Sequence, residues 1–364
     1  MITSPNPSQN GIPNKSLAKA AFILIILAIS LALIHVGQKF FIPLVLAIMT
    51  WSMLNALSNH ICRIKIGGFS VARRLATLLA IMTLVLFFVG IYIMLASQAE
   101  SLATAAPVYE ENFSRLLTEL MAWVGIEQLP STDSLFQNLN IGSILSLVGQ
   151  SVGSIFTSIV LVFIYTGFLF AEQNVIPSKL ANLHSSAEKT EKTRLIFIEI
   201  ATQVQRYIWV KTLVSLLTGV LSYGVLKLVG VDFAAVWALL IFLLNYIPNI
   251  GSFLGVIFPA LLTLVQFDTL TPFFLITVGL GIVQFIVGNV IEPAYLGKSL
   301  NLSSLMIVLS LTFWGMIWGI PGMLLSVPIM VMVSIICVRF ESLRGIAVVL
   351  SLDGELLSSI TEKE

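Results

Sequence analysis

Two stretches of this chain hold the polar residues that could do chemistry. The first, GNVIEPAYLGKSLNLSS, places Gly288, Asn289, Glu292, Pro293 and Gly297 within ten residues, at one end of a long apolar segment. A carboxylate at the edge of hydrocarbon is costly to keep and is a functional candidate by default. Uptake of a proton or of Na+ would relieve that cost, so Glu292 can serve as a coupling site for either. The alternative is an interfacial acid paired with Lys298 or a loop arginine. The second stretch, NYIPNIGS at 245–252, supplies Asn245, Tyr246, Asn249 and Ser252. These side chains can hydrogen-bond a small polyol without any net charge. Pro248 removes a backbone donor and Gly251 tolerates left-handed geometry, so a helix would break here.

The elements that carry these residues are built for hydrocarbon. Charged residues make up 10% of the 364 and mean hydropathy is +1.00, where soluble domains carry about 25% charge. The charges are also clustered: none falls between Lys19 and Lys39, Arg74 and Glu100, Asp133 and Glu172, or Lys298 and Arg339. A crossing helix needs roughly 20 apolar residues, and these gaps fit one or two crossings each. Buried helices of a soluble protein would need polar outer faces that these segments lack. The expected fold class is therefore all-α: a polytopic integral membrane protein of about eight transmembrane helices, with two Pro/Gly-interrupted helical hairpins.

Spans are read near 17–36, 40–58, 75–97, 151–171, 207–228 and 270–291, with interrupted runs at 233–266 and 303–338. Lys and Arg in short loops set orientation. With the N-terminus inside, only Lys39, Arg115 and Lys227 of the 19 Lys and Arg residues fall outside. Tyr207 and Trp209, beside Arg206 and Lys211, suit an interfacial aromatic belt. The resulting plan has a cytoplasmic tail (1–16), three spans (17–97) and an extracytoplasmic helical insert (98–150). A transport region (151–338) with a cytoplasmic helix (173–206) and a cytoplasmic C-terminal tail (339–364) follow. Within the insert, Phe113, Leu116, Leu117, Leu120 and Val124 recur at helical spacing, so an amphipathic helix over 108–124 should pack on the membrane part. It should end before Pro130. Glu188 and Lys192 stand at favourable i,i+4 spacing. Cys62 and Cys337 both lie near the cytoplasmic side, where disulfides are rare.

The interrupted runs repeat one plan. Asp232 and Asp268, read as span-end markers, bracket 35 residues free of Asp, Glu, Lys, Arg and His, with Asn245–Gly251 at the midpoint. The 40 uncharged residues between Lys298 and Arg339 are split by Gly319, Pro321 and Gly322. A helix break frees main-chain groups that survive at membrane depth only beside protein or a hydrated cavity. Parity makes the two hairpins enter from opposite faces, as do the interrupted helices of midplane substrate sites. Ordinary tight turns, buried for packing, are the alternative. His35 reads as an interfacial histidine, and Trp314 and Trp318 as interface or packing aromatics.

NYIPNIGS preceded by FAAVWALL, followed by GNVIEPAYLGKSLNLSSLMIVLSLTFWG and PGMLLSVP, resembles the AI-2E family of bacterial transporters over nearly the whole chain. The resemblance is closest to the autoinducer-2 exporter branch. It implies export of a small signalling molecule across the inner membrane by alternating access, within a ring-shaped homo-oligomer, a pentamer. The family's signatures fall on Asn245, Tyr246, Pro248, Asn249 and Gly251; on Glu292, Pro293, Gly297 and Leu302; and on Gly319, Pro321, Gly322 and Pro328. Many relatives place a basic residue after the Glu-Pro pair, where this chain has Ala294. A base that pairs with the acid must then come from elsewhere, Lys298 being the candidate.

Three functions remain in competition: a secondary exporter of a small polar solute, a cation (Na+)/proton antiporter, and a passive channel. No G-x-x-x-x-G-K-[ST] phosphate cradle occurs, so energy would come from the solute's own gradient or from an ion. H-E-x-x-H and paired intramembrane aspartates suited to proteolysis are also missing, which argues against an enzyme. The partners expected are the solute, a proton or Na+, membrane lipid and further copies of the chain. No cofactor and no nucleic acid is expected.

Overall fold

The computed structural model describes residues 15–63, 65–66, 69–124, 158–181, 187–296 and 301–354. Apart from a minimal antiparallel pair, Lys65–Ile66 with Phe69–Ser70, these residues form helices. In chain order they are α1 (Lys15–Val36), α2 (Gln38–Arg63), α3 (Arg73–Val124), α4 (Ser158–Glu172), α5 (Ile176–Ala181) and α6 (Ala187–Val229). Then come α7 (Ala234–Leu244), α8 (Ile250–Gln266) and α9 (Thr271–Ile286), which runs through a π-helical turn, Val287–Ile291, into α10 (Glu292–Leu296). The hairpin α11 (Ser304–Trp318) and α12 (Ile320–Arg339) and the short α13 (Arg344–Leu350) complete the fold. Among the described residues, five helical stretches are long and apolar enough to cross a membrane, and five shorter ones are apolar. The exterior is itself apolar, with Phe22, Leu78, Phe168 and Phe274 all largely exposed. Faces of that size are not left to water and belong against lipid or protein. The chain is an all-α polytopic membrane protein.

The 43-residue α6 is the spine, packing against α2, α7, α9, α10 and α12. Its charged first half and apolar second half form one continuous helix, as the pattern around Glu188 implied, and Lys192 pairs with Glu188 at 2.7 Å. Along the spine sit two cores. One gathers Val204, Tyr207 and Ile208 with Val327, Val331 and Ile335 of α12. The other gathers Leu226 with Ile241, Ala260, Ile276 and Leu280. A third core joins α2 to α3 through Leu54, Ala80 and Leu84. There Ala76 and Ala80, fully buried, allow the close backbone approach that replaces hydrophobic driving force in lipid.

The two hairpins point in opposite directions along α6. The open end of α7–α8 lies beside the C-terminal end of the spine, where the Val231 amide bonds the Leu226 carbonyl. Its tip reaches back to Ser215 and Thr212. By contrast, α12 ends at Arg339, which pairs with Glu199 near the start of the spine. Eleven residues make α7 about 16 Å long, near half of a hydrocarbon core of about 30 Å. The partner arm α8, with 17 residues, is about 26 Å long, so the two arms of the first hairpin are unequal.

Helix α3 continues without a break from its span through Pro107 to Val124, so the helix expected over 108–124 is an extension of the third span. On the first hairpin it makes polar contacts, and the Tyr109 ring meets Phe233 edge-on. Tyr109 donates to Asp232 at 2.6 Å, Asn112 donates to the Val265 carbonyl at 2.8 Å, and Arg115 pairs with Asp268. Asp232 and Asp268 do mark the hairpin ends. His35 is exposed beside the Ile317 carbonyl, and Trp318 is a buried packing residue whose indole N–H donates to the Ile34 carbonyl at 3.1 Å. The aromatic-belt reading of Tyr207 fails, because that ring is 3% exposed and belongs to a core. The expected break at Pro130 lies outside the described residues, as do residues 125–150 of the insert and the last ten residues of the tail.

Candidate functional site

The break at Asn245 is real and differs in detail from what residue types implied. Asn249, not Gly251, takes the positive φ of 61°, with ψ −52°, at the centre of a γ-turn closed by the Ile250 amide on the Pro248 carbonyl at 2.7 Å. Gly251 is helical and is needed for a close approach: an added Cβ would lie 2.5 Å from the Leu244 carbonyl carbon. The main chain of the tip is mostly satisfied internally. The amides of Asn245, Ile247 and Gly251 reach the carbonyls of Ile241, Leu244 and Ile247 at 2.8–3.0 Å. Freed backbone is therefore not the main polar feature of the tip; side chains are.

Those side chains are held by the spine. Asn245, buried, donates to Ser215 Oγ at 2.9 Å, and Tyr246 donates its hydroxyl to Thr212 Oγ1 at 2.8 Å. Thr212 in turn back-bonds to Ile208. Facing the tip is the end of α9, where the π turn adds a residue per turn and re-aims its side chains, a device common at functional sites. Phe285, Gly288, Asn289 and Glu292 share one face there.

Between these two elements and α6 lies a cavity of about 340 Å³. Its walls are Lys211, Asn245, Ile247, Pro248, Asn249, Ser252, Gln284, Phe285, Gly288, Asn289 and Glu292. The charges on that wall are one base and one acid. Lys211 Nζ stands 2.5 Å from Glu292 Oε1, with side-chain exposures of 4% and 20%. Among the described residues Glu292 is thus paired with Lys211 and with no loop arginine. Lys298 and Gly297 lie outside the described residues, and the partner is a residue read from sequence as interfacial.

Of the predicted residues, Asn245, Pro248, Asn249, Ser252, Asn289 and Glu292 line this cavity together. Tyr246 and Gly251 build its tip. Pro293 is exposed next to Glu292 without lining the cavity. The structure does not bring Gly319, Pro321 and Gly322 to the site. They form the tip of the second hairpin, beside the end of α1, where Trp318 meets Ile34. That break is a single residue, Gly319 at φ 64°. Pro321 sits in the first turn of α12, where its missing N–H costs nothing. Gly322 repeats the role of Gly251, with a Cβ there 2.6 Å from the Trp314 carbonyl carbon.

Lys211 and Gln284 were not legible as site residues, although a signal existed. Lys211, Ser215, Thr218 and Ser222 recur at helical spacing on one face of an otherwise apolar span, and all four are buried. Such a stripe marks a polar inner face.

The AI-2E family transporter profile matches residues 24–341. The AI-2 transport protein TqsA of Escherichia coli K12 is 32% identical over 92% of this chain and 95% of its own length. A Borreliella burgdorferi protein, named only for transport, is 28% identical over 99% of this chain and 98% of its own. A second Escherichia coli K12 protein, YhhT, also named only for transport, is 27% identical over 94% of this chain and 95% of its own.

Proposed function

The chain belongs to the AI-2E family of transporters, and from that premise we propose that it exports a small, polar, uncharged signalling molecule of the autoinducer-2 type. The observation that carries this reading is the cavity between the Asn245–Ser252 tip, α6 and the end of α9. It is walled by amides, a hydroxyl and one neutralised ion pair in the midst of an apolar bundle. Its size, about 340 Å³, is at the lower end of small-molecule sites. Asn245, Asn249, Ser252, Gln284 and Asn289 offer both donors and acceptors to a polyol. Two oppositely directed hairpins on one spine suit alternating access, with the solute reaching the cavity from each side in turn. The second tip, Gly319–Gly322, serves this reading as architecture, away from the cargo. The relative named for AI-2 transport supports the choice of cargo class.

In this reading the protein sits in the bacterial inner membrane with both termini cytoplasmic, because 16 of 19 Lys and Arg residues then lie inside. The α3 extension then stands outside. The pentameric ring implied by the resemblance would cover part of the α3 span, little of which is buried within one chain; rotational symmetry in projection images tests that. The cargo site is tested in a chain with Cys62 and Cys337 replaced by Ser. Single cysteines at Asn249, Ser252 and Gln284 should react with a membrane-impermeant thiol reagent, whereas one at Ser222 should not. Reconstituted protein should also carry autoinducer-2 down its gradient in liposomes. Cysteines at the three cavity positions that never react, in either vesicle orientation, would remove the reading.

A further inference from the structure

We propose that Lys211 is the resident cation of the cavity: its ammonium holds the place beside Glu292 that a coupling proton or sodium ion would otherwise take, so solute movement is not cation-coupled. The inference rests on the cavity being the transport site. An acid that couples transport must meet a mobile cation during the cycle, because an unneutralised carboxylate out of water costs several kcal/mol. Here the neutralising charge is covalently attached. Lys211 is 4% exposed, its stem enters from the spine, and Nζ lies 2.5 Å from Glu292 Oε1.

Among the described residues, the ionisable groups around the pair offer no second countercharge. On α6 the neighbour is the phenol of Tyr207, buried one turn away. On the hairpin tip it is Tyr246, whose hydroxyl is committed to Thr212. On the wall itself Lys211 and Glu292 are the ionisable pair, and their formal charges cancel without any bound ion. One ammonium proton is used by Glu292, which leaves further donors on Nζ and the second carboxylate oxygen for solute hydroxyls. A neutral molecule can therefore bridge the pair without carrying charge across the membrane.

Two readouts decide this without any cargo. In proteoliposomes near neutral pH, a hydrophobic carbodiimide that attacks protonated carboxyls should leave Glu292 unmodified, as read by peptide mass spectrometry. In Lys211→Met, Glu292 must borrow its neutralising charge from solution; the adduct should appear, and added Na+ or alkaline pH should suppress it. Lys211→Arg, which keeps a cation, should stay unlabelled. In the second readout, vesicles loaded with a pH-sensitive dye receive a sodium pulse. The unaltered protein should move no protons above empty vesicles, Lys211→Met should gain the movement, and Lys211→Met/Glu292→Gln should lose it again. Labelling of Glu292 in the unaltered protein, or sodium-driven proton movement that Glu292→Gln abolishes, overturns the proposal. So does a folded Lys211→Met that gains neither property. Should Lys211→Met fail to fold, the unaltered protein and Lys211→Arg still decide. Failure of autoinducer-2 flux with these results intact would remove the cargo and leave the resident cation standing.

Discussion

Glycine-to-alanine substitutions at Gly251, Gly255 and Gly224 should separate three magnitudes within one bundle. At Gly251 the new methyl lies 2.5 Å from the Leu244 carbonyl carbon and closer still to its oxygen, whereas real Cβ contacts stay beyond 3.0 Å. Both partners are main chain, so the hairpin must part by more than 0.5 Å, the difference between those distances. Overpacking of this kind costs about 1–3 kcal/mol. The displaced segment also carries Asn245, whose bond to Ser215 measures 2.9 Å; stranding a buried amide adds about 1–3 kcal/mol. A total loss of about 2 kcal/mol or more is expected, with weakened solute flux because the tip walls the cavity. At Gly255 the nearest atoms are the Ile241 Cγ1 at 3.2 Å and the Gln284 amide nitrogen at 3.3 Å. These are side chains that can yield, so Gly255→Ala should cost well under half as much. At Gly224 nothing lies within 4 Å, and alanine should stabilise α6 by about 0.5–1 kcal/mol through backbone entropy. Thermal unfolding of the detergent-purified variants, followed by tryptophan fluorescence, gives the order. A Gly251→Ala protein that unfolds within about 0.5 kcal/mol of the unaltered chain would refute the close approach at the tip.

Breaking the buried pair from one side, with Lys211→Met, should cost about 3–5 kcal/mol, because it strands a carboxylate. Lys211→Met/Glu292→Gln should then be more stable than the single variant, and strict additivity in a double-mutant cycle would deny the pairing. Tyr246→Phe removes one half-buried hydroxyl bond and should lower stability by about 0.5–1.5 kcal/mol, read in the same melts; no change would mean Thr212 does not hold it. Outside the membrane, burial first and the hydrogen bond to Asp232 second push the Tyr109 phenol well above its ordinary range. A raised folded-state value means its stabilising contribution is complete below the unfolded value of about 10 and is lost as pH climbs beyond it. Melting points should therefore fall more steeply above about pH 10 in the unaltered chain than in Tyr109→Phe; equal slopes would exclude this contact. Arg115 and Asp268 are half to three-quarters exposed, so Arg115→Ala should cost about 1 kcal/mol or less, vanishing in high salt; a larger, salt-independent loss would show that the pair is not a surface one.

Membrane class, the long apolar helices and both hairpin breaks were written in the sequence, because hydrocarbon demands continuous apolar runs and punishes charge and loose backbone residue by residue. The charged first half of α6 and the Glu188–Lys192 pair were legible for the same local reason. Partners distant along the chain were not. Lys211 and Glu292 stand 81 residues apart, and a lysine near a span end looks interfacial until a neighbouring helix is seen to cover it. Which residue bends and which only permits contact is likewise a tertiary matter: Asn249 took the positive φ and Gly251 the tight packing. The two tips, alike in Pro and Gly, were parted by packing alone. One faces α6 and the π turn across a cavity; the other lies against the end of α1. Composition sets the solvent each segment requires, whereas only the packed bundle decides which buried polar groups meet.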